Sequence, residues 1–200
     1  GGKQGMFQME SGRAEIITVP KAVRGRINSK AKQLAEFGQR TKGFKGRSYT
    51  AADVALHLIG QWAFSRWCVN NRIYHQWCYS DSPNDFTCEG STTGQLFGVC
   101  CIPFEAGWNF NEATDGIRIS RYRWMHEECV TFYLCMRFDG SKVHFYGASE
   151  WTDFADANIF AMRPTVYEVP VDELAWTTDQ LLEVLRDTDE QQTILESVFE

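Results

Sequence analysis

The sequence predicts an α/β (or α+β) domain in which helices flank a central mixed β-sheet. Three observations predict it. The hydrophobic patterns run helix, helix, several strands, helix, strand, helix. Leu96-Phe97-Gly98-Val99-Cys100-Cys101-Ile102 is a continuous apolar run, which fits a strand covered on both faces. Val130–Phe138 is a strong β run that turns at Asp139-Gly140 and returns over Lys142–Tyr146, the pattern of a hairpin. With 200 residues, 44% of them hydrophobic and seven of them Trp, the chain is long and apolar enough for one domain with a sizeable core.

Ile16 to Pro20 reads as a short strand, and Ala22 to Phe37 as a basic helix. Gln39–Ser48, with Gly43 and Gly46 among bases, reads as a loop. Thr50 opens the strongest helix, because Asp53 three residues on completes a capping-box variant and suits the helix dipole. Val54, Ala55, Leu58, Ile59, Trp62 and Ala63 recur at helical spacing, and Phe64 and Trp67 widen the face, so this helix is expected to be buried on most sides. Asn70–Thr93 is turn-rich. Over Gly116–Trp124, Ile117 and Ile119 alternate with Arg118 and Ser120, which predicts a half-buried strand. Ser149 is expected to cap a helix reaching Phe160, Tyr167–Pro170 to form a strand, and Thr177 to cap a last helix over Asp179–Arg186.

The net charge of −6 hides an asymmetry. Eleven of the twenty Lys/Arg but three of the twenty-six acids fall in the first 50 residues, giving +8 there and −14 beyond. The organisation expected is a basic arm and helix over 1–48, belonging to the same domain, a core over 49–187, and an acidic tail over 188–200. A basic arm suits a polyanion, so Arg24, Arg26, Lys42, Lys45 and Arg47 are candidate nucleic-acid contacts. The acidic body suits a basic protein partner instead. No stretch approaches the roughly 18–20 apolar residues of a membrane span, and Gly1–Gly5 starts no secretory signal. Seven cysteines, an odd number, fit a reducing compartment, so a cytoplasmic location is expected.

The buried helix with Leu58 to Phe64, then Asn84-Asp85, the strand Gly98–Cys101, Ile117–Ile119, the hairpin Phe132–Cys135 and Val143–Gly147, and Tyr167–Pro170 with Glu173-Leu174 resemble a known order of elements. Over roughly residues 20–186 the chain resembles the PD-(D/E)XK nuclease superfamily, especially its small phage and mobile-element members. The resemblance implies a restriction-endonuclease-like fold, a nucleic-acid substrate and Mg²⁺ as cofactor if the protein is active, none otherwise. It places the metal-binding Asp on Asp85 and the helix Glu on Gln61, and it expects Asp85 to lie near Gly98–Cys101. The family's Glu-x-Lys strand falls on Gly98–Cys101, which has neither acid nor base. Magnesium needs hard oxygen donors, so the expected protein is a catalytically impaired, nuclease-like binder, a pseudoenzyme. Migrated ligands among Asp85, Glu89, Glu105 and Asp115, with Arg118 or Arg121 in place of the Lys, would instead give an active endonuclease. If the gene is a phage's, the site of action is the host cytoplasm. A third use is inhibition of a host-defence or phage protein by direct contact.

Two further patterns carry chemistry. His75-x-x-Cys78 and His126-x-x-Cys129 together could supply four ligands to a structural Zn²⁺. A cysteine nucleophile would need His57 or His144 beside it as base.

Overall fold

The computed structural model describes residues 14–40, 50–78, 89–92, 94–103, 109–120, 130–158 and 166–186. Its architecture is mixed α/β, as the element order predicts. Strands β1 (Glu15–Thr18), β2 (Gln76–Cys78), β3 (Glu89–Thr92), β4 (Gln95–Ile102), β6 (Phe132–Phe138), β7 (Lys142–Glu150) and β9 (Trp176–Thr177) make one sheet. Its order is β1-β7-β6-β4-β3-β2, with β9 also paired to β7. Among the described residues only the β4–β6 pair is parallel, and the other pairs are antiparallel. Between β4 and β6 the chain crosses to the other face, where β5 (Gly116–Ser120) pairs with β8 (Val166–Pro170).

Helices α1 (Lys21–Arg40), α2 (Ala51–Asn70) and α4 (178–186) lie on one side of the sheet, and α3 (Trp151–Asn158) lies with the β5–β8 ribbon on the other. Thr50 caps α2 as the sequence predicts: its Oγ1 accepts from the Asp53 amide at 3.2 Å, and its amide donates to Asp53 Oδ2 at 3.1 Å. Thr177 and Gln180 repeat the device at α4, at 3.2 and 3.0 Å. Helix α2 is apolar nearly all round because it is covered twice. Val54, Ala55 and Leu58 pack against Ala31 and Ala35 of α1. Ile59, Ala63, Phe64 and Trp67 pack on Phe97, Val99 and Phe145 of the sheet. Rings lock this layer: Phe64 lies 5.1 Å from Phe97, and Trp67 meets Phe145 edge-on at 5.1 Å. Gly60 sets the approach, since a Cβ there would sit 2.7 Å from Val99 Cγ1 and 3.1 Å from Cys101 Cβ.

On the opposite face Cys100, Tyr133 and Cys135 meet Ile117, Ile119, Phe154 and Tyr167. Strand β4 is thus buried on both faces, and β5 on the Ile117–Ile119 face alone. Among the described residues no helix is long and apolar enough to cross a membrane.

Three expectations need correction. The turn-rich stretch 70–93 contains two strands, β2 and β3. Each is only three or four residues long and too polar to show a period; pairing to β4 makes them strands. Ser149 is no cap: it is fully buried in β7 opposite Tyr133, and the cap of α3 is Glu150, whose amide donates to Asp153 Oδ2 at 2.8 Å. Strand β7 therefore runs four residues past Tyr146. The expected extension of α3 to Phe160 lies outside the described residues.

Candidate functional site

A cavity of about 480 Å³ opens at the C-terminal end of β4, where the main sheet and the β5–β8 ribbon part. Its wall includes His57 of α2, Cys100 and Cys101 of β4, Asp115 and Arg118 at β5, and Glu168 of β8. The crevice beyond a strand's carboxyl end is a common place for a site in a partly parallel sheet. Arg118 and Glu168 face each other across the ribbon and pair at 3.1 Å, with side chains 72% and 56% exposed. Solvent screens such a pair, so it contributes under about 1 kcal/mol. Asp115 closes the turn before β5, its Oδ2 accepting from the Asn111 amide at 2.9 Å and its carbonyl from the Val171 amide at 3.0 Å.

The Cys101 thiol in this wall is held protonated at neutral pH. Burial pushes Cys101 up to about 12, with neighbouring Cys100 adding to the effect. Burial also raises Cys135 well above its ordinary value. A cysteine attacks as thiolate, and these stay protonated. His57 shares the cavity with Cys101, whereas His144 is held at 2.8 Å by Asp139.

Gln61 is 4% exposed within α2 and is not in the cavity wall. Asp85, Glu105 and Arg121 lie outside the described residues, so the expected approach of Asp85 to Gln61 does too. The side-chain donors on Gly98–Cys101 are two thiols, soft ligands where magnesium takes hard oxygens, so they do not fit Mg²⁺. Of the proposed zinc ligands, His75 engages Ser65 Oγ at 2.6 Å through Nε2 and the Ile73 carbonyl at 3.2 Å through Nδ1. Cys78 lies on β2, and His126 and Cys129 lie outside the described residues. Among the described residues no three His, Cys, Asp or Glu side chains gather as a metal site would require.

The other candidate surface is α1. Lys21, Arg26, Lys30 and Lys32 are exposed on it, and its first turn carries no acid. At 3.6 residues per turn, Arg26 and Lys30 fall on one flank of the exposed face and Lys21 and Lys32 on the other. Between them runs a crest of Ala22, Gly25, Ser29 and Gln33, low enough at its small side chains to leave a shallow open dip beside Arg26 and Lys30. Glu36 is the one exposed acid farther along. Arg24 is turned away: it is half-buried, and its Nη1 donates to the Gly140 carbonyl at 2.7 Å, tying α1 to the β6–β7 turn. Lys42, Lys45 and Arg47 lie outside the described residues.

A polar cluster that the sequence did not single out sits at the end of β6 and β7 that carries the Asp139–Lys142 turn, beside the C-terminal end of β4. A bulge between Cys135 and Met136 leaves Tyr146 as the extra residue of β7. Gly147, at φ +145°, allows the bend, and a Cβ there would overlap the Trp176 carbonyl. Arg137 Nε donates to Tyr146 Oη at 3.1 Å, and its guanidinium lies 4.7 Å over the Phe110 ring. Burial and then Asp172 raise Glu112, while Arg137 lowers it. Burial would also raise Asp139, but His144 and the amides of Ser141 and Lys142 outweigh it and hold the carboxyl well below its usual range. The sequence signals here were the Asp139-Gly140 turn and His144, neither of which points to Arg137 or Tyr146. No family model, curated protein or solved structure matches this chain.

Proposed function

We propose that this protein binds nucleic acid through α1 and does so on a nuclease-like scaffold of the phage or mobile-element type that has lost catalytic strength. The observation that carries the binding reading is the exposed cationic face of α1, with Lys21, Arg26, Lys30 and Lys32 on two flanks of one helix. Four cations spread along one rigid element are worth more to a polyanion than the same charges on separate loops, because none has to be ordered on binding. The impaired-catalysis reading is supported by the donor chemistry. Both β4 thiols are soft and Cys101 is held protonated; of the migrated candidates Asp115 and Arg118 are engaged with Asn111 and Glu168, and Glu89 lies on β3.

The test is titration of a labelled duplex at several salt concentrations. Four phosphate contacts give a log–log slope of about −3.6, so affinity falls roughly 150-fold between 50 and 200 mM salt. Arg26→Gln with Lys30→Gln halves the slope, leaving a fall of about 12-fold. An unchanged slope removes α1 from the interface and favours a basic protein partner for the acidic body. The same protein is expected to show no strong Mg²⁺-dependent cleavage of duplex DNA. If cleavage is seen, Asp85→Ala should abolish it; activity surviving that change moves the site to Glu89, Glu105 or Asp115.

A further inference from the structure

We infer that α1 enters the major groove of B-form duplex DNA, crest first; this rests on the nucleic-acid reading above and narrows it to one substrate class. The cations stand on both flanks of the helix and not along its crest: Arg26 and Lys30 on one side, Lys21 and Lys32 on the other. A helix lying across a single phosphate strand would place its bases in one row. Two rows separated by a helix diameter of about 10–12 Å match two phosphate strands bordering a groove. The B-DNA major groove, about 12 Å wide, admits an α-helix, while the minor groove, about 6 Å wide, does not.

The crest fits that placement. Gly25 has nothing within 4 Å of where its Cβ would stand, so nothing inside the chain requires a glycine there. Ala22, Ser29 and Gln33 complete a low, exposed strip over about three turns, which ends before the exposed Glu36 on the same face, so residues 22–33 are the part that enters. Small side chains let the helix axis sit deep, and Ser29 and Gln33 can hydrogen-bond base edges, Gln being a partner of adenine. Other nucleic acids fit less well. The A-form RNA major groove is too deep and narrow for side chains to read. Single strands are held by aromatic stacking, and the crest from residue 22 to 33 carries no aromatic ring. Shape and charge together thus select duplex DNA.

The experiment measures fluorescence anisotropy with a labelled DNA duplex, the same sequence as an RNA duplex, each single strand, and a DNA duplex with bulky groups on cytosine C5, which projects into the major groove. The unmodified DNA duplex should bind at least ten-fold tighter than the others at equal salt. Gly25→Leu and Ser29→Leu should each lose at least ten-fold on it with an unchanged salt slope and no fall in the circular-dichroism melting temperature, which Gly25→Leu should if anything raise. Equal affinity for RNA and C5-modified duplexes, or full affinity in both leucine variants, would overturn groove entry. Salt-dependent binding would then survive as surface electrostatics alone. Absence of binding to every probe would overturn the nucleic-acid reading as well.

Discussion

Alanine at the two well-described helical glycines should change stability in opposite directions. In an exposed helix interior Gly→Ala gains about 0.4–1 kcal/mol. Gly25 meets that condition, since a Cβ would touch nothing within 4 Å. At Gly60 the same Cβ would stand 2.7 Å from Val99 Cγ1 and 3.1 Å from Cys101 Cβ. Neither neighbour can yield easily. Val99 is fully buried, and a Cβ is fixed to its backbone, so α2 itself must lift off β4. Overpacking of this kind costs about 1–3 kcal/mol, which exceeds the helical gain. Gly60→Ala should therefore destabilise by about 0–2.6 kcal/mol net, and Gly25→Ala should stabilise by up to about 1. For a chain of this size each kcal/mol moves Tm by roughly 2–4 °C. Thermal melts of the two variants and the parent, followed by far-ultraviolet circular dichroism, give both signs in one series. If Gly60→Ala raises Tm as Gly25→Ala does, α2 does not press on β4 at position 60 and the layer packing described above is wrong.

Arg24→Met should lower stability by about 1–3 kcal/mol through the lost charge-assisted bond to Gly140, yet leave the salt slope of DNA binding unchanged. A shallower slope would place Arg24 on the phosphate instead. Asp139 has its folded pKa below its unfolded one, so its contribution is present above about pH 4 and fades as pH falls through the folded value. Asp139→Asn should accordingly reduce stability at pH 7 and narrow the difference from the parent in urea melts at pH 3; a constant difference refutes the assignment. Cys101, with its thiol pushed up to about 12, should resist iodoacetamide at pH 8 in the native protein and react after denaturation. Rapid native labelling, located by peptide mass mapping, would contradict the raised thiol value.

The layered fold was legible where burial writes a period or a run. Leu96–Ile102 is apolar throughout because both its faces are covered, and Ile117 and Ile119 alternate with Arg118 because only one face is. The caps at Thr50 and Thr177 were legible because a side chain must answer free amides within three residues. Strands β2 and β3 were not, since Gln76–Cys78 and Glu89–Thr92 are held by neighbours distant in sequence and carry no local pattern. The candidate sites divide the same way. The charge of α1 could be counted from the sequence, but the turning of Arg24 toward Gly140 depends on a contact 116 positions away. The joining of His57, Asp115 and Glu168 around one cavity, and of Arg137 with Tyr146 through a bulge, are likewise products of the sheet's topology.

Tight hairpin turns are the usual places to insert a tag, a fluorophore-binding peptide or a second domain. The turn at Asp139–Lys142 is a poor choice here. Its Gly140 carbonyl holds Arg24, its Ser141 carbonyl accepts the Val19 amide at 3.0 Å, and Asp139 accepts from the amides of Ser141 and Lys142. Four residues thus fasten the end of β1, the start of α1 and the hairpin to one another, and an inserted segment would release all three together. The turn between β3 and β4 is better suited: Gly94 is exposed, sits at φ +83°, and touches nothing where a side chain would project. A reporter placed there would leave α1 seated, so a graft at each turn separates a fold that tolerates insertion from one whose helix has come loose.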